Sequence, residues 1–325
     1  MPRWTILMAL AGLAACATQP IAAPVQLKVL SFNSWGAGGN QGKPIDETLA
    51  VLRAVDADII GLQETQLEGD VCEAEVCPPK GPSAAPALAQ ALGYYLYEQT
   101  GKNDALWANA ILSRYPITGA TPNDLGVAIN VQGHTVYAFN VHFTDYPYQP
   151  YQFAHIPYGD APFLATSEEG VAAARAARGE AVDLLVKELP ASDGAEAAFI
   201  FGDFNEPSGR DWTARAVEAG MQPAIVAYPS SGALEAAGFV DAYRAVYPDE
   251  IAHPGLTWTP TTTADDPADR HDRIDYVFVR GAGVDIVDAS IVGEASPPAE
   301  MAVTPWPSDH RAVMATVSFP TRPGE

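Results

Sequence analysis

The chain has 325 residues, with 40 Asp+Glu against 18 Lys+Arg and a formal net charge of −22. At 48% hydrophobic residues it carries enough apolar surface for a sizeable core, which excludes an intrinsically disordered chain. The acidic balance repels a polyanion, which excludes a dedicated nucleic-acid coat unless the site is locally positive or holds a cation.

Met1-Pro2-Arg3 is a short basic start, followed by an apolar run from Trp4 to Ala15. That run is too short to span a bilayer, which needs about 20 residues, and reads as the hydrophobic part of a secretory signal. It ends Leu13-Ala14-Ala15-Cys16, which is similar to the bacterial lipobox, where the Cys is acylated and becomes the mature N-terminus. The alternative is an ordinary signal peptide cut near Ala15 or a little beyond. The expected organisation is a signal over residues 1–15, a tether over 16–24 and one catalytic domain over 25–320. The expected location is export, with a membrane anchor at Cys16 facing the periplasm or the exterior. Cys72 and Cys77 remain as a pair in one loop, for which a disulfide is expected in an exported protein and a zinc site is the rival.

No internal repeat and no long Ser/Gly linker divides the chain. Strands are expected at Leu27–Trp35 and Asp58–Glu64, with a helix at Ile45–Val55 between them. A short helix is expected at Pro86–Leu92, then strands at Tyr94–Gln99, Leu106–Leu112, Leu125–Val131 and Thr135–Phe143. The longest helix is expected at Thr166–Leu189, with Thr166 as N-cap and Glu169 three residues on. Ala198–Phe204 reads as a strand, followed by shorter helices. Strands are expected again at Leu256–Thr259, Ile274–Val279, Val284–Val292 and Ala312–Phe319. Many strands with interspersed helices predict two sheets packed face to face with helices outside.

Acids and amides stand at the ends of these strands. Glu64 closes an apolar strand, where a rigidly held carboxylate suits a hard cation such as Mg²⁺. In Phe201-Gly202-Asp203-Phe204-Asn205, Asp203 and Asn205 alternate onto one face of an extended segment. Asn33, His142, Asp275 and the pair Asp309-His310 occupy comparable positions. Any one of them alone is more simply a strand-end acid or a satisfied core histidine.

As an ordered set, they resemble the endonuclease/exonuclease/phosphatase superfamily, the deoxyribonuclease I-like fold. The motifs are Ser-Phe-Asn33, Leu-Gln-Glu64-Thr, Ile-Leu-Ser113-Arg114, Asn-Val-His142, Gly-Asp203-Phe-Asn205, Thr257-Trp258, Arg-Ile-Asp275-Tyr and Ser-Asp309-His310. The resemblance implies a four-layered α/β sandwich, two packed mixed β-sheets flanked by helices, with the site at one edge. It implies Glu64 as the main Mg²⁺ ligand (Mn²⁺ or Ca²⁺ as substitutes), with Asn33 and Asp309 nearby. It implies His310 at the scissile phosphate, as general base or phosphate contact, with Asp275 orienting it. Asp203 would position or deprotonate the attacking water. Asn205 and His142 would hold non-bridging oxygens, and His142 could protonate the leaving group. Such residues supply the positioning and charge neutralisation that phosphoryl transfer needs.

Trp35 stands where the abasic-site nucleases of that superfamily carry Asp or Asn, which argues against DNA repair. Asn-Val-His142 looks more like the phosphatase, sphingomyelinase and deoxyribonuclease I branches. Residues 143–159 form a Tyr- and Pro-rich insertion, either a pocket wall for a sugar, base or choline head group or a self-packed loop. Arg175 and Arg178 would bind phosphate or form surface pairs. His134 and His253 are expected in solvent, His271 near the site edge, and the acidic run at 265–269 as a solvated loop. The expected activity is a Mg²⁺-dependent phosphoesterase acting on a small organic phosphodiester, phosphomonoester or phospholipid head group. A nonspecific extracellular nuclease and a non-catalytic binding module on the same fold are the alternatives. The phosphoester substrate and the membrane are the expected partners, with nucleic acid disfavoured and no protein partner evident.

Overall fold

The computed structural model describes Met1 and residues 23–70, 77–99, 101 and 105–320. Cys16 and Cys72 lie outside these residues, and with them most of the expected signal, the expected acylation site and one end of the expected disulfide. Among the described residues, no helix is long and apolar enough to cross a membrane.

In chain order the strands are β1 (Val25–Asn33), β2 (Ile59–Gln63), β3 (Tyr95–Glu98), β4 (Ala110–Ser113), β5 (Ile117–Ala120), β6 (Gly126–Val131) and β7 (His134–His142). They continue as β8 (Ala197–Asp203), β9 (Val240–Asp241), β10 (Asp275–Arg280), β11 (Asp285–Gly293), β12 (Met301–Ala302) and β13 (Ala312–Phe319). The α-helices are α1 (Ile45–Val55), α2 (Ala85–Leu92), α3 (Gln149–Ala154), α4 (Ser167–Glu188), α5 (Ala214–Glu218), α6 (Pro229–Ala236) and α7 (Ala242–Val246).

The strands form two mixed sheets, ordered β12-β11-β13-β1-β2-β4-β3 and β5-β6-β7-β8-β10-β9. In the first, β1 runs parallel to β2 and antiparallel to β13; in the second, β7 runs parallel to β8 and β8 antiparallel to β10. Strand alternation sorts the side chains into layers. Leu27 and Val29 of β1, Val136 and Ala138 of β7, Phe199 and Phe201 of β8, and Val277 and Val279 of β10 fill the space between the sheets. On the outer face of the first sheet, Leu30, Phe32, Ile60 and Leu62 pack under Val51, Leu52 and Val55 of α1 and Leu88 of α2. On the outer face of the second, Phe139, Ile200 and Phe278 pack under Val182 and Leu185 of α4 and Leu234 of α6. The result is the expected four-layered α/β sandwich.

Helix α4 starts as its sequence dictates. The Thr166 hydroxyl accepts from Glu169 N at 3.2 Å, and the Glu169 carboxylate accepts from Thr166 N at 3.0 Å, a complete capping box. Elsewhere tertiary contacts override the local pattern. Only Ala110–Ser113 of the expected Leu106–Leu112 strand is extended. Ala108 adopts a left-handed φ of 52°, and its carbonyl accepts from Thr65 N and Oγ1, so residues 105–109 turn toward the end of β2 instead. The expected strand at Leu256–Thr259 reduces to isolated bridges from Trp258 to Asp272 and His310. The insertion contains the short helix α3, which periodicity had not shown.

The sheets approach closely where β2 meets β8. A Cβ on Gly61 would lie 2.6 Å from Phe201 Cβ and 2.9 Å from Asn140 Oδ1. Gly61→Ala is therefore expected to force the sheets apart and to lower stability by about 1–3 kcal/mol. Chemical denaturation against the parent chain checks it; an unchanged midpoint would mean that the sheets are not in contact there.

Candidate active site

The rows of side chains between the sheets change character along their length. In β1 the inward positions run Val25, Leu27, Val29, Ser31, Asn33; in β7 they run Val136, Ala138, Asn140, His142; in β8 they run Ala197, Phe199, Phe201, Asp203. The apolar ends form the core, and the polar ends meet at one edge of the sandwich. Register aligns them, since Asp203 stands opposite both His142 on β7 and Asp275 on β10, and Asn33 stands opposite Gln63 on β2.

Glu64 and Asn205 complete the group through backbone turns, with φ of 50° and 48°. Non-glycine residues seldom adopt this left-handed region, and its cost concentrates at functional sites. Strict alternation would send Glu64 away from Gln63's face, but its turn brings the carboxylate to Asn33. Asn33 Nδ2 donates to Glu64 Oε1 at 2.8 Å and to Asp203 Oδ2 at 3.0 Å, while its carbonyl oxygen accepts from Trp35 N. Asn205 reaches the site by a turn that Asp203 Oδ1 holds through Asn205 N, not by the strand alternation read from the sequence. Its Nδ2 donates to Phe143 O at 3.0 Å and lies 3.3 Å from His142 Nε2.

His142 Nε2 lies 3.8 Å from Glu64 Oε1 and 3.6 Å from Asp203 Oδ2. His310 sits between two carboxylates, its Nδ1 2.9 Å from Asp275 Oδ2 and its Nε2 3.5 Å from Asp203 Oδ2. Burial opposes charging the His310 ring, yet Asp275 and Asp203 together hold its pKa well above the usual histidine value. Burial raises the pKa of Glu64 and of Asp275. Burial, with the Glu64 charge nearby, pushes Asp309 up to about 7. Asp309 lines the same cavity of about 380 Å³ as Glu64, His142, Asp203, Asn205 and His310. All eight residues expected from the sequence thus lie at this one edge of the sandwich.

The donor set fits a divalent cation. Single ligand atoms of Glu64, His142 and Asp203 lie within 4.8 Å of one another, as do those of Asp203, Asp275 and His310. Glu64 Oε2 is buried without a hydrogen-bond partner. Carboxylates this close repel by several kcal/mol at an effective dielectric near 20, and a cation removes that repulsion. Hard oxygen donors suit Mg²⁺, Mn²⁺ or Ca²⁺.

Supporting residues were not legible as such. The Thr257 hydroxyl accepts from Ile274 N and Asp275 N at 3.0 and 3.1 Å, which fixes the start of β10. Ser308 Oγ donates to Asn33 O at 2.7 Å and accepts from His310 N, tying the last motif to the first. Arg273 lies buried against Asp211 and Asp241 at 2.9 and 2.8 Å, holding the segment before Asp275. Both Thr257 and Ser308 stand within the quoted motifs; only the fold assigns them these bonds. Arg175 and Arg178 do not share a role. Arg175 is exposed and pairs with Asp183, whereas Arg178 is buried and donates to Gln149 Oε1 at 2.6 Å and Pro147 O at 3.2 Å. Arg178 is therefore a clamp on the insertion, not a phosphate ligand or a surface pair. His271 is half-buried against Thr262, His253 is exposed and stacks on Tyr247, and His134 is half-buried near Glu196 instead of solvated.

Two mixed sheets with acids, amides and imidazoles converging at one edge define the deoxyribonuclease I-like class of α/β sandwich. The model of the Endonuclease/Exonuclease/phosphatase family matches residues 30–310, and the chain belongs to that family, whose members hydrolyse phosphoesters with divalent metals. A Caenorhabditis elegans protein, the uncharacterized protein F14F9.5, is 25% identical over 313 residues, spanning 90% of this chain and 91% of that protein. Among solved structures, an endonuclease/exonuclease/phosphatase from Beutenbergia cavernae is similar at 17% identity, with a TM-score of 0.52 over 91% of this chain and 72% of that one. A family protein from Leptotrichia buccalis is similar at 15% identity, with a TM-score of 0.51 over 90% of this chain and 100% of that one. C. elegans TDP2 is similar at 18% identity, with a TM-score of 0.50 over 90% of this chain and 74% of that one. At these identities the likeness to solved structures is one of fold.

The His310–Asp275 contact generates a kinetic expectation. His310→Ala should lower kcat/KM by about 10²–10⁴-fold and also lower stability, because it leaves Asp275 and Asp203 buried without the imidazolium between them. Asp275→Asn should lower it in the same direction, because an amide can present a donor to the ring and favour the wrong tautomer. The double variant should be little worse than His310→Ala alone, since residues acting as a unit are not additive. A double-mutant cycle on kcat/KM measures this, and additive losses would break the pairing.

Proposed function

We propose that the chain is a Mg²⁺-dependent phosphoesterase acting on a small organic phosphodiester, phosphomonoester or phospholipid head group. The observation that carries this reading is the convergence of Glu64, Asp203 and Asp309 with His142, Asn205 and His310 in one cavity. Glu64 and Asp309 would hold the cation, with Asn33 fixing the Glu64 carboxylate through its amide. When bound, that cation neutralises charge on the phosphoryl oxygens.

The chain's own residues supply the rest. Asp203 accepts the proton of the attacking water, since its Oδ2 faces the centre of the cluster. His310, flanked by two carboxylates, works as an imidazolium that donates Nε2–H to the phosphoryl group, while Asp275 accepts its Nδ1–H and fixes the ring's orientation. The Asn205 amide and His142 Nε2 bind the remaining oxygens, and His142 protonates the departing alkoxide. Each contact strengthens as charge develops in the transition state.

The nuclease alternative is less favoured, because no Lys or Arg lines the cavity among the described residues. We also propose export and anchoring through an acylated Cys16, on the strength of the Leu-Ala-Ala-Cys run.

A panel of sphingomyelin, glycerophosphodiesters, nucleotides and plasmid DNA, each with and without EDTA, tests the activity. EDTA should abolish turnover of the preferred small substrate, and Mg²⁺ should restore it. Glu64→Ala should abolish activity at ordinary Mg²⁺ concentrations while the far-UV circular dichroism stays that of the parent. Turnover that survives this change would remove Glu64 from the metal site. Plasmid nicking that falls steeply with salt and outpaces every small ester would instead support the nuclease.

For the anchor, Cys16→Ser should leave the protein soluble or unprocessed. Intact-mass analysis of the parent should show a diacylglycerol-bearing or further acylated Cys16 as the N-terminal residue. A mature N-terminus beyond Cys16 with no acyl chain would overturn the assignment.

A further inference from the structure

Beside the catalytic groups, the cavity is lined by aromatic rings whose polar tips are already engaged. Tyr151 donates its hydroxyl to Asp269, and Tyr158 donates to Asp145. Trp258 directs its indole N–H at Asp269 at 3.4 Å, and Trp107 donates its own to Cys77 O at 2.7 Å. These four side chains line the cavity with little left to offer a ligand except π surface. The Tyr151 and Tyr158 rings stand at 84° with centroids 5.9 Å apart, the corner arrangement of an aromatic box.

This wall is rigid. Arg178 clamps Gln149 and the Pro147 carbonyl from below, and Phe153 packs against the Cα of Gly170, where a Cβ would come within 2.7 Å of the ring. Tyr148 is buried and donates to Asp272 at 3.1 Å. A preformed box of this kind binds without the cost of ordering a loop.

Away from the His142 and His310 imidazoles, the field in the cavity is negative. Among the described residues, the cavity is lined by acids, including Glu68 and Asp145 at its exposed rim, and by no Lys or Arg. A second phosphate or a carboxylate would find no partner against these rings, whereas an organic cation would find π faces and a negative field. The box also lies next to the catalytic groups. The Trp258 ring centroid is 4.9 Å from that of His310, and the Trp107 centroid is 6.2 Å from that of His142. A phosphoryl group on the histidines and a group against these rings are thus close enough to belong to one small ligand joined by a short linker.

We propose that this aromatic part of the cavity is a subsite for an organic ammonium group, so that the preferred substrates are phosphoesters of a short amino alcohol with an alkylated nitrogen, choline being the simplest. The inference rests on the phosphoesterase reading above and deepens it by naming the substrate class. The shared chemistry is the ammonium-bearing phosphoester, whether it is presented by a lipid head group or by a soluble ester.

The test compares 4-nitrophenyl phosphocholine with its neutral isostere, 4-nitrophenyl 3,3-dimethylbutyl phosphate, on the full chain with Mg²⁺. The two differ only in replacement of the quaternary nitrogen by carbon. The expected kcat/KM ratio is about tenfold or more in favour of the cation. Tyr158→Leu and Asp145→Asn should each move that ratio toward one. Equal rates for the two esters in the parent chain would overturn the subsite, as would a preference for thymidine 5′-(4-nitrophenyl phosphate), which would mark the box as a base-stacking wall.

A binding arm does not depend on turnover. Tetramethylammonium should quench Trp fluorescence saturably in the parent chain, and neopentyl alcohol should not. If no ester is hydrolysed but this selective quench is seen, the phosphoesterase reading fails and the cation subsite stands; if neither ligand quenches, the subsite fails whatever the turnover. Phosphatidylcholine vesicles and glycerophosphocholine serve as further arms. Hydrolysis confined to one of them supports the subsite and identifies how the head group is presented.

Discussion

The contact between the two sheets is the constraint on which the rest of this structure depends. At its apolar end it is ordinary core, Leu27, Val29, Phe199 and Val277 excluding water by interdigitation. Toward the site it becomes a set of buried amides hydrogen-bonded to one another and to the backbone. Asn140 donates Nδ2 to Leu62 O at 2.9 Å, Ala110 O at 3.1 Å and Gln99 Oε1 at 2.9 Å, and its Oδ1 accepts from Gln63 Nε2 at 2.6 Å. Ser31 Oγ accepts from Gly202 N across the same gap at 3.0 Å. These bonds join one sheet to the other within two residues of Glu64, His142 and Asp203. Buried polar groups are costly when unpaired and directional when paired, so this network fixes the relative positions of the two sheets at the edge where the chemistry is placed.

The consequence is a site assembled from six separate stretches of chain but held to a common frame. Asn33 and Glu64 come from the first sheet, and His142, Asp203, Asn205 and Asp275 from the second. Asp309 and His310 enter from the segment before β13, tied back by Ser308 to Asn33 O and by Thr259 to Asp309 O. Neither sheet alone carries a complete set. The close approach at Gly61, where Phe201 and Asn140 leave no room for a side chain, lets the two halves reach hydrogen-bond distance.

The insertion after His142 obeys a different logic. Its aromatic residues are fixed by groups far along the chain, Arg178 on α4 and Asp269 and Asp272 before β10. Arg270 spans the same region, its guanidinium over the Trp212 ring at 5.3 Å and its Nε 3.4 Å from Asp272. The loop is thus supported from beneath by buried polar contacts while its outer rings line the cavity. Both readings of this segment made from the sequence hold in part, since it packs on itself and also walls the pocket.

Much of this was legible in the residues. The α4 capping box, the inward alternation of β1, β7 and β8, and the strand-end acids are local patterns that the backbone must follow, because one residue's place on a strand decides its face. The motifs from Asn33 to His310 named the site residues through their resemblance, as an ordered set, to a known family; taken singly, each is only a polar group at a strand end. What stayed hidden was set by long-range contact. Ala108 turns because its carbonyl serves Thr65, and Trp107 becomes a cavity wall as a result; Arg178 is buried because Gln149 and Pro147 fold over it. Glu64 and Asn205 leave the strand geometry in a left-handed turn that composition did not announce. The sequence by itself determined the layers, the caps and the chemical types at the site, since these depend on period and neighbours a few residues away. Only the tertiary structure decided the burial of Arg178 and the aromatic wall of the cavity, and it gave a distance to the His310–Asp275 pairing that the family resemblance implied, since each depends on groups from separate segments meeting across a packed interface.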